Sequence, residues 1–290
     1  MPFPDIAPEI FSIEMFGLTL ALRWYAVAYI AGLLLGWALV RRLMARPMSW
    51  PGGVAPLSKT DVDDLLTYMI LGVVIGGRLG FTLFYQPGYY LSHPLEILRV
   101  WQGGMSFHGG FLGVIVGICL FCRVRAKPLL SVGDAVAIAA PIGIFFGRLA
   151  NFINAELWGR PTAVPWAVAF PGERAQACGP EWPDPCTRHP SQLYEAGLEG
   201  LLLFVIIIIG LRLGWLKSPG RMIGVFFLGY GLARTFVELF READAQYVTP
   251  DNPLGHVLQL GGYGLSMGQA LSLPMILIGL IFLMRRNTQP

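Results

Sequence analysis

The chain has 290 residues, of which 54% are hydrophobic and 13% are charged. Soluble domains carry about 25% charged residues, so this composition excludes an ordinary soluble protein and requires lipid to cover much of the surface. The net charge of +3 is explained by basic residues that flank membrane helices, and it requires no nucleic-acid partner. We therefore expect one membrane-embedded domain over residues 1–290.

The first residues of the chain carry Asp5, Glu9 and Glu14 and no basic stretch. This pattern argues against a cleavable signal peptide, which begins with positive charge. Several apolar residues lie among these acids, which predicts a segment that lies at the membrane interface.

Seven apolar segments follow, each close to the roughly 20 residues that span a bilayer. They cover residues 20–40, 65–85, 107–122, 133–153, 195–213, 222–240 and 268–284. The third is short, which favours a tilted helix or a re-entrant entry. The sequence thus predicts an all-α polytopic membrane protein with about seven transmembrane helices.

The loops between these segments differ in charge. Twelve of the 21 Lys and Arg residues fall in or beside the loops after segments one, three, five and seven: Arg41, Arg42, Arg46, Lys59, Arg123, Arg125, Lys127, Arg212, Lys217, Arg221, Arg285 and Arg286. Basic residues concentrate in cytoplasmic loops, so the N-terminus is predicted outside and the C-terminus in the cytoplasm. Residues 155–192 would then form an external loop or head.

The four cysteines fall into two pairs. Cys178 and Cys186 lie in the predicted external loop, where a disulfide is compatible with an oxidising compartment. Cys119 and Cys122 lie in an apolar run, and small buried residues explain them better than a zinc or redox site. No cluster of His, Cys and Asp has metal-ligand spacing, so we predict no metal.

Three arginines lie inside the predicted spans: Arg78, Arg148 and Arg234. An arginine that faces lipid near the middle of a helix costs about 2.5–3.5 kcal/mol on insertion scales, so each needs partners or a function. For Arg78 a structural ion pair or snorkelling to the headgroups is an open alternative. The polar neighbours of Arg148 and Arg234 favour a functional site.

Those neighbours share helix faces with the arginines. Tyr230, Arg234 and Glu238 are four residues apart and follow one face, on which Arg234 and Glu238 can pair. In segment four, Arg148 is followed on one face by the carboxamides Asn151 and Asn154, and Glu156 comes just beyond. A guanidinium beside carboxamides suits a phosphate oxyanion, because arginine presents a planar fork of donors.

His108 lies between two glycine pairs, in the sequence Gly103-Gly-Met-Ser-Phe-His-Gly-Gly110. Glycines allow tight turns and close approach of the backbone to a ligand, and histidine is the usual general base near neutral pH. A capping or other structural role for His108 is the alternative.

At these residues the chain resembles the prolipoprotein diacylglyceryl transferase family, the first enzymes of bacterial lipoprotein maturation. Residues 147–159 match the family signature Gly-Arg-x-Ala/Gly-Asn-Phe-x-Asn-x-Glu-x-x-Gly at every fixed position. Further matches run from about residue 10 to 286 and include Arg23–Tyr25, Phe107–Gly110, His189–Glu195 and the Tyr230, Arg234, Glu238 set.

The resemblance implies transfer of the diacylglyceryl group of phosphatidylglycerol to the lipobox cysteine thiol of a preprolipoprotein, which gives a thioether and glycerol 1-phosphate. It implies a bacterial cytoplasmic-membrane enzyme with an external active site and no metal or nucleotide cofactor. The essential arginines of the family fall on Arg148 and Arg234, and its motif histidine on His108. Its other functional positions fall on Tyr25, Asn151, Glu156, Gly159, Tyr230 and Glu238.

Combined with the residue chemistry, the resemblance leads to a hypothesis for the reaction. His108 would take or relay the thiol proton, and Arg148 and Arg234 would hold the phosphate. Two other function classes compete with it: a transporter or channel for an anionic solute, and a non-catalytic membrane scaffold. Intramembrane arginines also occur in transporters, but here the polar groups cluster at the external ends of segments four and six.

Overall fold

The computed structural model describes residues 1–15, 18–260 and 263–285, and this part of the chain is mostly helical. Its α-helices are α1 (Trp24–Met44), α2 (Lys59–Phe84), α3 (Pro87–Ser92), α4 (Phe107–Val124), α5 (Leu129–Ile153), α6 (Glu173–Gln176), α7 (Ser191–Glu195), α8 (Leu203–Arg212), α9 (Arg221–Val237) and α10 (Met267–Met284). A π-helix, Ala196–Leu202, joins α7 to α8. Short 3-10 helices occupy Pro47–Ser49, Pro51–Gly53, Pro94–Leu98, Val100–Gln102, Trp215–Lys217 and Ala245–Tyr247.

Two small antiparallel hairpins depart from the all-α prediction. The strands β1 (Glu9–Met15) and β2 (Leu18–Arg23) pair with each other, as do β3 (Leu258–Leu260) and β4 (Tyr263–Leu265). The first hairpin replaces the N-terminal part of the predicted first span, so α1 begins at Trp24 instead of residue 20. The sequence of residues 11–15 and 18–23 alternates in the two-residue period of a strand, and Glu9 forms a 3.1 Å ion pair with Arg23 across the pair.

Six helical segments in the described residues are long and apolar enough to cross a membrane. They are Trp24–Met44, Lys59–Phe84, Phe107–Val124, Leu129–Ile153, Ser191–Arg212 and Met267–Met284, and they match six of the seven predicted spans. The remaining prediction, 222–240, corresponds to α9, which has 17 residues. The positions of these helices along the chain were therefore predicted from the sequence. Their exact first and last residues depend on local capping.

Capping explains where two of the spans begin. Ser58 accepts a hydrogen bond from the Asp61 amide, and the Asp61 side chain accepts one from the Ser58 amide. This capping box starts α2 six residues before the predicted apolar segment. Ser266 and Gln269 form the same arrangement at the start of α10.

The chain forms two compact units. The first comprises residues 1–36, 137–215 and 220–290, and the second comprises 37–136 and 216–219. In the second unit α2 and α4 pack through glycines spaced four residues apart. A Cβ atom on Gly113 would collide with the carbonyl oxygen of Gly72, and one on Gly76 with that of Gly109. Small residues at this spacing allow helix backbones in lipid to approach closely.

In the first unit, the predicted head at residues 155–192 is a folded element. Val168, Phe170 and Ala175 form a buried core, against which Phe3, Phe152, Ala155 and Trp158 pack. The buried Arg188 donates hydrogen bonds to the carbonyl oxygen of Ala175 at 2.6 Å and to the Glu242 carboxylate at 2.6 Å. Cys178 and Cys186 form a disulfide, a pairing that the sequence allowed but did not decide.

Candidate active site

The charged cluster of the first unit is centred on Glu195. Its side chain is fully buried, with 0% exposure, at the junction of α7 and the π-helix. Its Oε1 atom accepts hydrogen bonds from Arg234 Nη1 and Arg241 Nη1, each at 2.6 Å. Its Oε2 atom lies 3.1 Å from Arg148 Nε, an ion-pair contact, and accepts no hydrogen bond from the described residues. One carboxylate therefore contacts three guanidinium groups, which come from α5, from α9 and from the segment after α9.

Glu199 lies one turn further along the same helical face and is also fully buried. Its carboxylate oxygens lie 3.8 Å from Arg148 Nη2 and 4.0 Å from Arg234 Nη1. Neither oxygen accepts a hydrogen bond from the described residues. Glu199 is therefore held by longer-range attraction to the arginines and not by direct hydrogen bonds.

Arg234 and Glu238 form the ion pair that their spacing on α9 predicts. Glu238 also lies 3.1 Å from Arg241 Nε and accepts a 2.7 Å hydrogen bond from the Ser266 hydroxyl. Arg234 is thus engaged by carboxylates through both of its terminal nitrogens. Tyr230 lies within electrostatic range of Arg234 and Glu199, and its ring stacks on Phe226 with the centroids 5.9 Å apart.

The residues after α5 form a polar turn. The Asn151 amide donates a 2.7 Å hydrogen bond to the Glu156 carboxylate, and Gln192 Nε2 donates one of 2.6 Å to the Glu156 carbonyl oxygen. Ala155 and Leu157 have φ values of 52° and 58°, in a region that non-glycine residues seldom adopt. Backbone strain of this kind persists only where surrounding contacts enforce it.

Asn154 does not join this hydrogen-bonded set as the sequence suggested. Its Oδ1 atom is buried and accepts no hydrogen bond from the described residues. The three-residue spacing from Asn151 predicted a shared helix face, but α5 ends at Ile153, one residue before Asn154. Its role as a substrate-binding residue stays a prediction.

Gly159 is placed where two backbone segments meet. Its amide donates a 2.8 Å hydrogen bond to the His189 carbonyl oxygen, and it forms a β-bridge with Arg241. A Cβ atom at this position would collide with the Phe240 carbonyl oxygen and would lie 2.7 Å from His189 Cβ. The glycine therefore allows three backbone segments of the chain to approach closely, and these contacts hold the segment that carries Arg241.

Tyr25 is the second residue of α1, and its hydroxyl lies 3.0 Å from that of Tyr29. It is within electrostatic range of Glu156 and Arg148, so the structure places it beside the polar turn. Seven of the predicted site residues are thus gathered in the first unit by contact or electrostatic range: Tyr25, Arg148, Asn151, Glu156, Tyr230, Arg234 and Glu238.

His108 belongs to the second unit, as the second residue of α4. Its side chain is exposed, and its ring lies against that of Phe107 with the centroids 5.6 Å apart. The helix is capped by Ser106, whose hydroxyl oxygen accepts a hydrogen bond from the Gly109 amide. Helix capping is therefore not the function of His108, and its role as a base stays a prediction.

Arg78, also in the second unit, has a structural role. Its side chain is buried, and it donates hydrogen bonds to the carbonyl oxygens of Ile97 at 2.8 Å, Glu96 at 2.6 Å and Gly103 at 2.6 Å. The sequence offered an ion pair or snorkelling as the structural alternative, whereas in the structure this guanidinium satisfies the backbone of the loop between α3 and α4.

Sequence reasoning missed Glu195, Glu199 and Arg241 as members of the cluster. The sequence does carry a signal for two of them, because Glu195 and Glu199, like the arginines, are ionisable residues inside a predicted apolar span. Arg241 lies seven residues after Arg234 and one residue beyond the predicted span 222–240. Only the structure shows that all three face the same point.

A polar cavity adjoins the charged cluster, and a separate apolar cavity lies at the head. A polar cavity of about 40 Å³ is lined by Arg234, Glu238, Arg241 and the segment after them. A mainly apolar cavity of about 310 Å³ in the head is lined by residues that include Phe152, Trp166 and Leu193. Among the described residues no group of three or more His, Cys, Asp and Glu side chains could hold a metal ion. The cluster instead offers guanidinium groups, which bind oxyanions.

The chain is similar to a protein family and to several named proteins. The model of the prolipoprotein diacylglyceryl transferase family matches residues 11–285. A protein of Cereibacter sphaeroides named phosphatidylglycerol–prolipoprotein diacylglyceryl transferase is 61% identical over 286 residues, which cover 98% of this chain and 97% of the relative. Proteins of the same name are 56% identical in Ruegeria pomeroyi, covering 99% and 98%, and 50% identical in Methylocella silvestris, covering 100% of both.

Proposed function

The chain belongs to the prolipoprotein diacylglyceryl transferase family, and from this premise we propose that it transfers the diacylglyceryl group of phosphatidylglycerol to the lipobox cysteine thiol of a preprolipoprotein. The products are the thioether and glycerol 1-phosphate. The observation that carries the proposal is the buried cluster in which Arg148, Arg234 and Arg241 converge on one carboxylate. The names of the relatives favour this activity over the transporter and the scaffold.

The arginines suit the charge that develops in this reaction. The thiolate sulfur attacks the glycerol carbon of the diacylglyceryl group, the carbon–oxygen bond to phosphate breaks, and the electron pair stays on the phosphate oxygen. The departing phosphate thus gains a negative charge, which fixed guanidinium donors stabilise more strongly than water does. Arg148 and Arg234 would hold this phosphate, aided by Asn151, Asn154 and Gly159.

A base must remove the thiol proton, because the thiolate is the nucleophile and a free cysteine has a pKa of about 8.5. His108 is the residue we propose to take or relay it, since histidine is the side chain that most often serves as a general base. No metal or nucleotide is required for these steps.

We further propose a multi-pass protein of the bacterial cytoplasmic membrane, with the whole chain acting as a single catalytic domain. α9 would be the seventh span: 17 residues extend about 26 Å as a helix, close to the roughly 30 Å of the hydrocarbon core.

The orientation follows from the seven spans, because basic residues concentrate in cytoplasmic loops: the N-terminus would lie outside and the C-terminus in the cytoplasm. The Cys178–Cys186 bond supports an external head. Arg286, one of the basic residues used for topology, lies outside the described residues.

The test uses the full-length protein purified in detergent, with phosphatidylglycerol and a synthetic lipobox peptide. Peptide mass and glycerol phosphate release are followed together. We expect the peptide to gain one diacylglyceryl group with equimolar release, and a peptide with serine in place of its cysteine to gain none. Folded protein that yields neither product would contradict the proposal, and anion flux into liposomes would then favour the transporter.

Variants assign the roles in the same assay. Arg148→Lys should lower turnover at least about 100-fold, because lysine cannot supply two coplanar donors. The control Arg99→Lys changes an exposed arginine of the second unit that pairs with Glu96 and should stay within about threefold of the unmodified protein. If His108→Gln retained near-normal turnover, the proposed base would have to be another group.

A further inference from the structure

Arg234 and Arg148 differ in how many of their guanidinium nitrogens face carboxylates. Arg234 has Glu195 and Glu199 near one terminal nitrogen and Glu238 at the other. Arg148 faces Glu195 and Glu199 with its Nε and Nη2 atoms only. These two nitrogens form one edge of the guanidinium plane, so the Nη1 side of Arg148 is not directed at these carboxylates. Its side chain is also the more exposed, at 21% against 15% for Arg234.

We propose that Glu195 is a positioning residue for the transfer reaction, a role that rests on the function proposed above. Its carboxylate fixes the guanidinium planes of Arg148, Arg234 and Arg241 relative to one another. The Nη1 side of Arg148 is thereby presented to the phosphate of the lipid. Glu195 acts through the arginines and does not itself touch the substrate.

Burial explains why one carboxylate can hold three long side chains. Glu195 is fully buried. Its hydrogen bonds to Arg234 and Arg241 join ionised groups and are therefore stronger than neutral ones, and Arg148 is held by the ion-pair contact at 3.1 Å. Arginine side chains otherwise sample many rotamers, and each ordered rotamer lowers conformational entropy. Fixing them before the substrate binds means that their dipoles need not reorganise during the reaction.

Glu199 provides a matched comparison within the same helical face. Both glutamates are fully buried and near the same arginines, but only Glu195 has contacts as short as 2.6 Å. A role that depends on direct contact with the guanidinium groups therefore belongs to Glu195. A role that depends only on negative charge would be shared by both.

The experiment compares Glu195→Gln with Glu199→Gln in the full-length protein, using the peptide assay with varied phosphatidylglycerol. Glutamine keeps the size of the side chain and removes the charge. We expect Glu195→Gln to lower kcat at least about 100-fold, as misplacement of catalytic groups by about 1 Å can do. Glu199→Gln should lower kcat by no more than about tenfold. Equal losses in the two variants, or a loss within threefold for Glu195→Gln, would overturn the inference.

A double-mutant cycle separates positioning from a general effect on folding. If Glu195 acts through Arg148, then Glu195→Gln in an Arg148→Lys background should cost at least about tenfold less than it does alone, because interacting residues are not additive. Fully multiplicative losses would show that Glu195 acts independently of Arg148 and would overturn the inference.

A second variant covers the case in which Glu195→Gln does not fold. Glu195→Asp keeps the charge but withdraws the carboxylate by one methylene, so it should fold and still lose at least tenfold in kcat. Normal turnover by folded Glu195→Asp would overturn the inference. Failure of the unmodified protein to transfer any lipid would instead contradict the proposed function itself.

Discussion

The side-chain amide of Asn151 donates a 2.7 Å hydrogen bond to the carboxylate of Glu156. This bond joins the last turn of α5 to the strained turn at Ala155 and Leu157, where both φ values are positive. Glu156 is also held from the other side, because Gln192 donates to its carbonyl oxygen. The pair therefore fixes the path of the chain as it leaves the helix that carries Arg148.

Replacing the Asn151 amide with a carboxylate tests whether its hydrogen bond to Glu156 stabilises the protein. Asn151→Asp brings a second carboxylate to Glu156, so the donor is lost and two like charges meet. We expect destabilisation of about 2 kcal/mol and a loss of turnover of about 100-fold. Thermal unfolding in detergent and the peptide assay measure the two effects.

The swapped variant Asn151→Asp/Glu156→Gln is the control for that prediction. It restores an amide beside a carboxylate with the roles reversed, so most of the lost thermal stability should return. If the double variant were as unstable as Asn151→Asp, repulsion between the two carboxylates would not be the cause.

Gly159 provides a prediction about backbone packing. Gly159→Ala places a methyl group against the Phe240 carbonyl oxygen and 2.7 Å from His189 Cβ, so the chain that carries Arg241 must shift. Overpacking of this kind destabilises by about 1–3 kcal/mol, and we expect turnover to fall at least tenfold. Gly143→Ala is the matched control, because a Cβ atom there meets nothing within 4 Å. Similar behaviour of the two variants would count against the steric explanation.

The disulfide of the head should contribute to its stability. Cys178 and Cys186 are eight residues apart, and closing a loop of this length stabilises a fold by about 2–3 kcal/mol in the chain-entropy account. We expect the double variant Cys178→Ser/Cys186→Ser to unfold at lower temperature, and reductant to lower the unfolding temperature of the unmodified protein but not of this variant. Cys119→Ser, which changes a free cysteine, should have no such effect.

His189 makes stability depend on pH. Its Nδ1 atom lies 3.0 Å from the Tyr194 hydroxyl, and burial lowers the pKa of its imidazole below the usual value. The unfolded chain, with a histidine pKa of about 6.5, then binds the proton more readily than the folded one. This contribution to stability is therefore complete above pH of about 6.5 and declines as the pH falls below it.

Unfolding temperatures measured at a series of pH values between neutral and mildly acidic test this assignment. His189→Gln should show a smaller decline toward acid than the unmodified protein does. His93→Gln, which changes an exposed histidine, should decline like the unmodified protein. An unchanged acid profile in His189→Gln would mean that another group is responsible.

The sequence by itself determined the class of the protein, the helices and much of the site. Apolar runs near the length of a bilayer have few alternatives to helices, because backbone groups in lipid must be satisfied within the segment. The same physics singled out Arg148 and Arg234, and helical spacing correctly paired Arg234 with Glu238. The signature at 147–159 supplied the family, which the comparisons confirmed.

Only the tertiary structure decided what these groups contact. Helical spacing relates residues within one segment, but Glu195 contacts arginines that are 39 to 47 positions away in the sequence. The role of Arg78 likewise depended on carbonyl groups of a distant loop, and the first hairpin depended on pairing between two strands. Such contacts arise when separate helices pack, because a buried charge must then find an opposite charge or a hydrogen-bond partner wherever the fold provides one.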